Sequence, residues 1–318
     1  MRFSVIIPLY NKAPYIEKAL RSVLAQTFTD YELIVVDDGS QDDSANVAEK
    51  VLAESVIRHQ LIHQDNAGVS CARNRGVANS QGEYLCFLDA DDWWAPTFLA
   101  EMSTLIDEYP KAGIYGTGYT IVNDTMHKTR VAQVGVESDF EKGYINYCQV
   151  YANTLAMPLT SISVAVPRFV FDEMRGFPKG IKLGEDFLLW LKISLRYKVA
   201  FLNKPLAFYN QDVEIAHRGV IRKGYNPDTF MTFHFGQFEE VEKKDHDLKV
   251  LLDRLRVYSL LRFRLSNDYP DRVDKEIAKV DFSNVNKIYR FYYKMPYPIF
   301  WVYQKMWSLA SWIKNIGR

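Results

Sequence analysis

Three carboxylates stand together in the stretch "YLCFLDADDWW", directly after a short apolar run. They are Asp89, Asp91 and Asp92, and the run before them predicts a buried strand that delivers them to a cleft. Carboxylates this close repel one another, and burial adds to the cost of keeping them charged. A divalent cation relieves both costs, and Mg²⁺ or Mn²⁺ on an Asp-x-Asp pair keeps open positions for a diphosphate. The alternative is an acidic turn that caps the next helix.

A second pair of acids, Glu185 and Asp186, follows Gly184 in "KLGEDFLLWLK". The apolar residues after the pair are spaced as on one face of a helix, so both acids belong to its first turn. A helix N-terminus stabilises carboxylate charge, so helix capping alone can explain this pair. A chemical role therefore needs support from other parts of the chain.

Alternating strands and helices must position these acids. The predicted strands are 3–10, 31–38, 56–64 and 83–88. Runs that are apolar on both faces and joined by helices favour a mostly parallel sheet covered on both sides. Ligands of such sheets bind outside the carboxyl ends of the strands. We therefore expect Tyr10, Asp38 and the acids after the fourth strand to share one crevice.

The composition describes a globular chain of 318 residues, 48% of them apolar, which is long enough for two domains. Lysine plus arginine and aspartate plus glutamate number 39 each, so no overall basic field favours nucleic acid as a partner. The three cysteines form no CxxC pair, and the apolar run at the N-terminus is too short for a signal peptide. A reduced, cytoplasmic setting is expected. P-loop and dinucleotide-binding glycine motifs are missing from the sequence.

Four blocks in order carry a resemblance to a known family: "SVIIPLYNKAPYIEKALRSVLAQTF", "YELIVVDDGSQDDS", "NAGVSCARNRGVANSQGEYLCFLDADD" and "GEDFLLWLK". The chain resembles the inverting nucleotide-sugar glycosyltransferases of family 2 over roughly residues 3–200. The resemblance implies the GT-A fold, a Rossmann-like α/β arrangement with a mostly parallel central sheet flanked by helices. The remaining residues are expected to add a C-terminal helical extension.

The resemblance also implies roles on the donor side. Pro8 and Tyr10 resemble strand-end residues that pack on the nucleoside. Asp38 resembles the acid that hydrogen-bonds the base, and Arg73 resembles an arginine near the base and phosphates. Asp89 resembles the ribose-side member of the DxD motif. Three of these assignments have a structural alternative: Tyr10 as a core aromatic, Asp38 as a turn former and Arg73 as a helix-surface charge.

The same resemblance makes Asp91 the principal ligand of Mn²⁺ or Mg²⁺, with Asp92 close by in the donor site. The second acid of the family's ED motif is the catalytic base, so Asp186 takes that role, and Glu185 orients a neighbour or contacts the acceptor. The implied reaction is one displacement at C1 of the sugar. Asp186 accepts the proton of the acceptor hydroxyl, and the metal offsets the charge of the departing diphosphate. His217 loosely resembles a histidine near the metal in some relatives; the alternative is a surface histidine.

The expected organisation has three parts: 1–105 for nucleotide-sugar binding, 106–228 for acceptor binding and 229–318 as a helical region. The tail 288–318 is rich in Tyr, Phe and Trp and carries Lys and Arg but no acid. Such a segment suits a membrane interface, although it lacks the apolar length to span one. The alternative is a helix pair packed on the catalytic domain. We expect a cytoplasmic protein with peripheral contact to the inner face of the membrane.

The sequence thus predicts a metal-dependent enzyme that moves one sugar from a nucleotide sugar, expected to be a UDP-sugar. The expected acceptor is a hydroxyl of a glycan or lipid-linked glycan, in surface polysaccharide assembly. One alternative is a nucleotide-sugar-binding protein that has lost turnover, which would be expected to lack the DxD or ED acids. Another is a nucleotidyltransferase, which would carry a glycine-rich basic loop after the first strand. This chain has both acidic motifs and "PLYNKAPY" in place of that loop.

Overall fold

The structure is a computed structural model that describes residues 1–123, 125–214, 226–300 and 302. The chain forms two compact units, Met1–Met231 and Thr232–Arg318. The first unit combines a sheet with helices, and the described part of the second unit is helical. The predicted helical C-terminal region is therefore confirmed.

The first unit opens with the predicted alternation of strands and helices. Its elements are β1 (Phe3–Leu9), α1 (Ile16–Leu24), β2 (Tyr31–Asp37), α2 (Ser44–Ala53), β3 (His59–His63), α3 (Val69–Ala78) and β4 (Tyr84–Phe87). It continues with β5 (Trp93–Trp94), α4 (Phe98–Glu108), β6 (Ala112–Asn123), β7 (Lys128–Val131), β8 (Lys142–Ile145), α5 (Tyr147–Thr154), β9 (Val164–Pro167), α6 (Arg168–Glu173), α7 (Glu185–Ser194) and β10 (Lys198–Asn210). The four predicted strands are all present. The third begins at His59, later than the predicted start at 56.

The described strands form one mixed sheet in the order β3-β2-β1-β4-β9-β6-β10-β5, with β7 beside β6 and β8 beside β10. Strands β1 to β4 run parallel, as expected. Strand β9 lies antiparallel between β4 and β6. Because of this reversal, the residues that precede β9 lie at the carboxyl end of β4, beside the candidate acids.

Burial explains why the first strands lack the polar alternation of a surface sheet. Every residue of β2 is buried, and β1 has a single half-buried position, Pro8. Helix α1 covers part of this sheet with the stripe Ile16, Ala19, Leu20 and Val23, which has helical spacing. The apolar strands therefore hold the sheet fixed, and only their ends are free to carry polar groups.

The described helices of the second unit are α8 (Glu239–Glu242), α9 (His246–Ser266), α10 (Pro270–Ile277) and α11 (Lys287–Lys294). Helix α11 packs on α9 along one side: the Tyr293 hydroxyl donates to the Val257 carbonyl at 2.9 Å, and the Arg264 guanidinium donates to the Met295 carbonyl at 2.6 Å. Over the stretches of chain that the structure describes, each helix is too short or too polar to cross a membrane.

Candidate active site

The loops after β1 and β2 hold each other at the carboxyl edge of the sheet. The backbone N–H of Lys12 donates to the Ser44 hydroxyl at 2.7 Å, and the N–H of Gln41 donates to Asn11 Oδ1 at 2.7 Å. Fixed in this way, the Lys12 ammonium forms a hydrogen-bonded ion pair with the Asp91 carboxylate. The first loop thus supplies a cation to the DxD acids, a contact that the sequence interpretation did not contain.

Arg73 joins the two acidic motifs. Its Nη2 donates to Asp89 Oδ1 at 2.7 Å, and its Nη1 donates to Glu185 Oε1 at 2.8 Å. The residue is 2% exposed, and its guanidinium lies over the Phe177 ring at 5.0 Å. The surface-charge alternative for Arg73 is therefore wrong. The acids after β4 and the acids that begin α7 belong to one site, although about a hundred residues separate them in sequence.

Asp186 is half-buried in the first turn of α7. Its Oδ1 accepts a hydrogen bond from the N–H of Phe187 at 2.7 Å, and its Oδ2 accepts one from the Ser161 hydroxyl at 3.2 Å. The neighbouring Glu185 is 8% exposed and bound to Arg73. Of the two acids, Asp186 is therefore the more exposed.

The last acid of the triplet, Asp92, is buried and ties the end of β10 to the site. Its Oδ1 accepts a hydrogen bond from the N–H of Asn210 at 2.7 Å. Its Oδ2 is buried and has no hydrogen-bond partner in the part of the chain that the structure describes. Burying an unpaired carboxylate oxygen is costly, so this atom is suited to a cation or to a donor group of a ligand.

The two acids after β2 differ in their partners. Asp38 accepts hydrogen bonds from the backbone N–H groups of Ala67 and Gly68, both at 2.8 Å, and from the Gln64 amide at 2.7 Å. Asp37 accepts one from the N–H of Ser40 at 3.1 Å. The turn-forming alternative for Asp38 therefore describes real contacts, because its carboxylate holds the loop between β3 and α3.

Tyr10 is 41% exposed at the end of β1, so the core-aromatic alternative is wrong. Pro8 is half-buried two residues before it and pairs with Val36 across the parallel strands. Both predicted nucleoside-packing residues therefore lie at the correct edge of the sheet. His217, and the basic residues Arg218, Arg222 and Lys223 near it, lie outside the described residues.

Burial dominates the electrostatics of the site. It raises the pKa of Glu185 to about 7, with help from Asp186 and against the opposing effect of Arg73. It also raises the pKa of Asp186, and Arg73 again opposes the rise. The pKa of Asp91 is raised by burial and by Asp89, while Lys12 lowers it. Burial alone would lower the pKa of Arg73, yet its carboxylate partners raise that pKa above its ordinary value.

The donor atoms fit a hard cation only if a substrate completes the coordination. In the described residues no group of three or more His, Cys, Asp or Glu is arranged to hold a metal. Two candidate donors are the half-buried Asp91 carboxylate, which is paired with Lys12, and the Oδ2 of Asp92, which has no hydrogen-bond partner among the described residues. A divalent ion that takes one or two carboxylates, with phosphate and water as its other ligands, is compatible with this set.

Sequence reasoning missed three residues that the fold brings to the acids: Lys12, Ser161 and Asn210. Lys12 stands inside the quoted block "PLYNKAPY", two residues after the first predicted strand. This position was a signal that its side chain could reach the acids at the strand ends. Ser161 and Asn210 carry no motif, and only the antiparallel β9 and the long β10 bring them to the site.

An α/β sheet with acids collected at the carboxyl ends of its strands is the arrangement expected of a GT-A glycosyltransferase. Residues 4–173 match the family "Glycosyl transferase family 2", and the chain belongs to this family. Glycosyltransferase GlyA from Streptococcus pneumoniae serotype 4 is 35% identical over 215 residues. That alignment covers 65% of this chain and 30% of GlyA, so the chain spans less than a third of this relative.

Solved structures share the fold. Residues 1–349 of TarS from S. aureus, in complex with UDP-GlcNAc, superpose with a TM-score of 0.73 and 22% identity over 89% of this chain and 83% of that chain. The mannosyltransferase PcManGT from Pyrobaculum calidifontis, in complex with GDP-Man and Mn²⁺, gives a TM-score of 0.53 and 19% identity over 96% of this chain and 87% of that chain. The predicted GT-A fold is confirmed by these likenesses.

Proposed function

We propose that this chain transfers one sugar, with inversion, from a nucleotide sugar to an acceptor hydroxyl. Residues 1–105 form the donor-binding half of the GT-A domain, and residues 106–228 form the acceptor-binding half. The observation that carries the proposal is the Arg73 bridge from Asp89 to Glu185. This bridge joins the DxD acids, proposed to hold the metal for the nucleotide diphosphate, to the ED acids, proposed for base catalysis.

Asp186 is the base in this proposal. General-base catalysis needs a carboxylate that the acceptor can approach. Asp186 is half-buried, whereas Glu185 is buried and bound to the Arg73 guanidinium. Glu185 and Arg73 therefore serve to hold the first turn of α7 against Asp89. The alternative pairing, with Glu185 as base, would require the Arg73 ion pair to open.

Asp91 would hold Mn²⁺ or Mg²⁺, and the Oδ2 of Asp92 is the second protein oxygen that we propose for the ion. When bound, such an ion supplies positive charge for the diphosphate that leaves the sugar. Lys12 adds a cation that is already paired with Asp91. Pro8 and Tyr10 would contact the nucleoside, and Asp38 would act on the base through the loop that its carboxylate holds.

The donor proposed here is a UDP-sugar. TarS is solved with UDP-GlcNAc and PcManGT with GDP-Man, so uracil and guanine are the two nucleotide bases to compare. The test is a panel of UDP- and GDP-sugars with and without Mn²⁺. Thermal stabilisation by one sugar nucleotide identifies the donor, because a ligand that binds only the folded state raises its stability. Release of nucleoside diphosphate then shows turnover. Binding without release, in the presence of a glycan or lipid-linked acceptor panel, would instead support a binding protein that has lost turnover.

We further propose that the second unit contacts an anionic membrane surface, which is where a lipid-linked acceptor for surface polysaccharide assembly is found. Helix α11 packs on α9 through Tyr293, but Ile288 and Phe291 are exposed, at 48% and 55%. The exposed side of α11 also carries Lys287 and Arg290, and the helix has no acid. Apolar rings beside unopposed positive charge suit the headgroup region of a membrane.

Liposome sedimentation tests this contact. Each Lys or Arg at an anionic surface contributes about 1 kcal/mol, so the protein should sediment with phosphatidylserine liposomes at low salt and less at high salt. Changing Lys287, Arg290 and Lys294 to Gln should abolish the sedimentation. The matched control changes Lys243, Lys244 and Arg262 to Gln, since these charges also belong to the second unit but not to α11. Failure of the unchanged protein to sediment at low salt would refute membrane contact.

A further inference from the structure

A short 3₁₀ turn, Ser161–Ser163, lies between the two acidic motifs. It precedes β9, whose antiparallel course brings the turn to the carboxyl end of β4. The Ser161 hydroxyl donates to Asp186 Oδ2 at 3.2 Å. Ser161 is 4% exposed, so solvent has little access to this hydrogen bond from the serine side. The turn therefore presents one hydroxyl to the acid that the proposed function uses as its base.

The turn is held rigidly by its own side chains. Thr160 and Ser163 form a reciprocal capping box: the N–H of Thr160 donates to Ser163 Oγ at 3.1 Å, and the two hydroxyls lie 2.9 Å apart. Ser163 is fully buried. A capped turn has few alternative conformations, so the backbone that carries the Ser161 side chain is held in one position.

Trp94 anchors the same turn from the other side. Its indole Nε1–H donates to the Ile162 carbonyl at 2.6 Å. The Trp94 ring is buried and stacks on Phe98 with 4.1 Å between centroids and 13° between planes. A buried indole needs an acceptor for its N–H, and here the acceptor is the backbone of the turn. Trp94 lies two residues after Asp92, so one short segment holds both the donor-side acids and this turn.

Resting on the function proposed above, we propose that Ser161 is a positioning residue for the base Asp186, and that Trp94 holds Ser161 in place. With Oδ1 bound to the N–H of Phe187 and Oδ2 bound to Ser161, both carboxylate oxygens have fixed directions. A hydroxyl can donate to the charged carboxylate and accept from the protonated one, so the contact survives proton transfer.

The pKa of Asp186 gives the direct test, because it can be measured without any donor. The charged and titratable groups that face Asp186 are Arg73, Asp89, Glu185, Tyr119 and Tyr147. They are unchanged by substitution of Ser161, so a shift reports on the hydroxyl. Loss of a hydrogen bond to the charged form should raise the pKa of Asp186 in Ser161→Ala by about one unit.

The measurement is a ¹³C NMR titration of labelled aspartate carboxyls, with Asp186 assigned by the signal that Asp186→Asn removes. Ser161→Thr is the matched control, since it keeps the hydroxyl and should keep the pKa of Asp186 near its value in the unchanged protein. An unaltered pKa in Ser161→Ala would overturn the proposal. An equal rise in Ser161→Thr would do so as well, because the hydroxyl would then not be its cause.

Hydrolysis of UDP-GlcNAc or GDP-mannose with Mn²⁺ gives a rate readout, with water in the place of the acceptor. We expect Ser161→Ala to lower kcat by about 10- to 100-fold with little change in KM, and to move the acid limb of the pH–rate profile upward. In an Asp186→Asn background the same change should add nothing, because both act through one group. If the double variant lost kcat by the product of the two single losses, the positioning role would be contradicted.

Trp94→Phe keeps the buried ring and removes only the N–H donor. It should shift the pKa of Asp186 and kcat in the same directions as Ser161→Ala, and by less. Trp93→Phe leaves the Trp94 indole in place and should change neither the pKa of Asp186 nor kcat. The two proposals fail differently. Normal turnover in Asp186→Asn would refute the base itself, whereas an inactive Asp186→Asn beside a fully active Ser161→Ala would refute only the positioning role.

Discussion

Replacing Arg73 with Met tests the bridge between the two acidic motifs. The substitution keeps an unbranched apolar chain against the Phe177 ring and removes the charge that holds Glu185 and Asp89. Asp89 is partly exposed, so water can solvate it after the change. Glu185 is buried, so it cannot be solvated in the same way. The effect on stability should therefore come from Glu185.

The magnitude follows from proton linkage. Burial, with Asp186, raises the pKa of Glu185 from 4.5 to about 7 against the opposing Arg73, and loss of Arg73 raises it further. An acid whose pKa is raised by folding binds more protons in the folded state, so stability falls as the pH climbs from the unfolded to the folded pKa. That fall stops near pH 7 in the unchanged protein. In Arg73→Met it continues at about 1.4 kcal/mol per pH unit.

Urea unfolding at two pH values measures the difference. We expect Arg73→Met to differ little from the unchanged protein at about pH 6 and to be less stable by about 2 kcal/mol at about pH 8.5. Adding Glu185→Gln should remove most of the pH-dependent part, and the rest is expected from Asp186, whose pKa Arg73 also lowers. Arg75→Met, on the exposed side of α3, is the matched control and should stay within about 0.5 kcal/mol at both values. A loss that is equal at both pH values, or that Glu185→Gln leaves undiminished, would refute the reasoning.

Three further substitutions test the site. Asp91→Ala should abolish the Mn²⁺-dependent part of thermal stabilisation by a sugar nucleotide while the protein stays folded; retained Mn²⁺ dependence would exclude Asp91 as ligand. Asp186→Asn should keep donor binding and lose about 10²–10⁴-fold in turnover, and near-normal turnover with the true acceptor would exclude it as base. Gly184→Ala should destabilise more than Gly180→Ala in thermal unfolding. Both glycines have positive φ, but only at Gly184 would a Cβ meet Met231 Sδ, at 2.2 Å, so equal losses would contradict the crowding.

The sequence by itself determined the local elements and the position of the acids on them. Continuous apolar runs and apolar stripes with a spacing of 3.6 residues are local patterns. They predicted the first four strands and the intervening helices, with shifts of a few residues at the ends. A carboxylate that directly follows a buried strand must lie at its end, so Asp38 and Asp89 could be assigned to one edge of the sheet. The ED pair could likewise be assigned to the first turn of α7.

The tertiary structure alone decided what each side chain contacts at that edge. Arg73 spans Asp89 and Glu185, and its predicted place near the base and phosphates stays a prediction; the Asp38 carboxylate binds the loop at Ala67 and Gly68. These partners follow from the strand order, which brings the ends of segments distant in sequence to one edge of the sheet.

The physical reason is the range of the interactions. Strand and helix formation depend on neighbours within a few residues, and those neighbours are visible in the sequence. An ion pair or hydrogen bond forms only within about 3 Å, and its energy depends on burial, which the packing of distant segments sets. Ser161 shows the difference: nothing in its local sequence marks it, yet the fold gives it the Asp186 carboxylate as its partner.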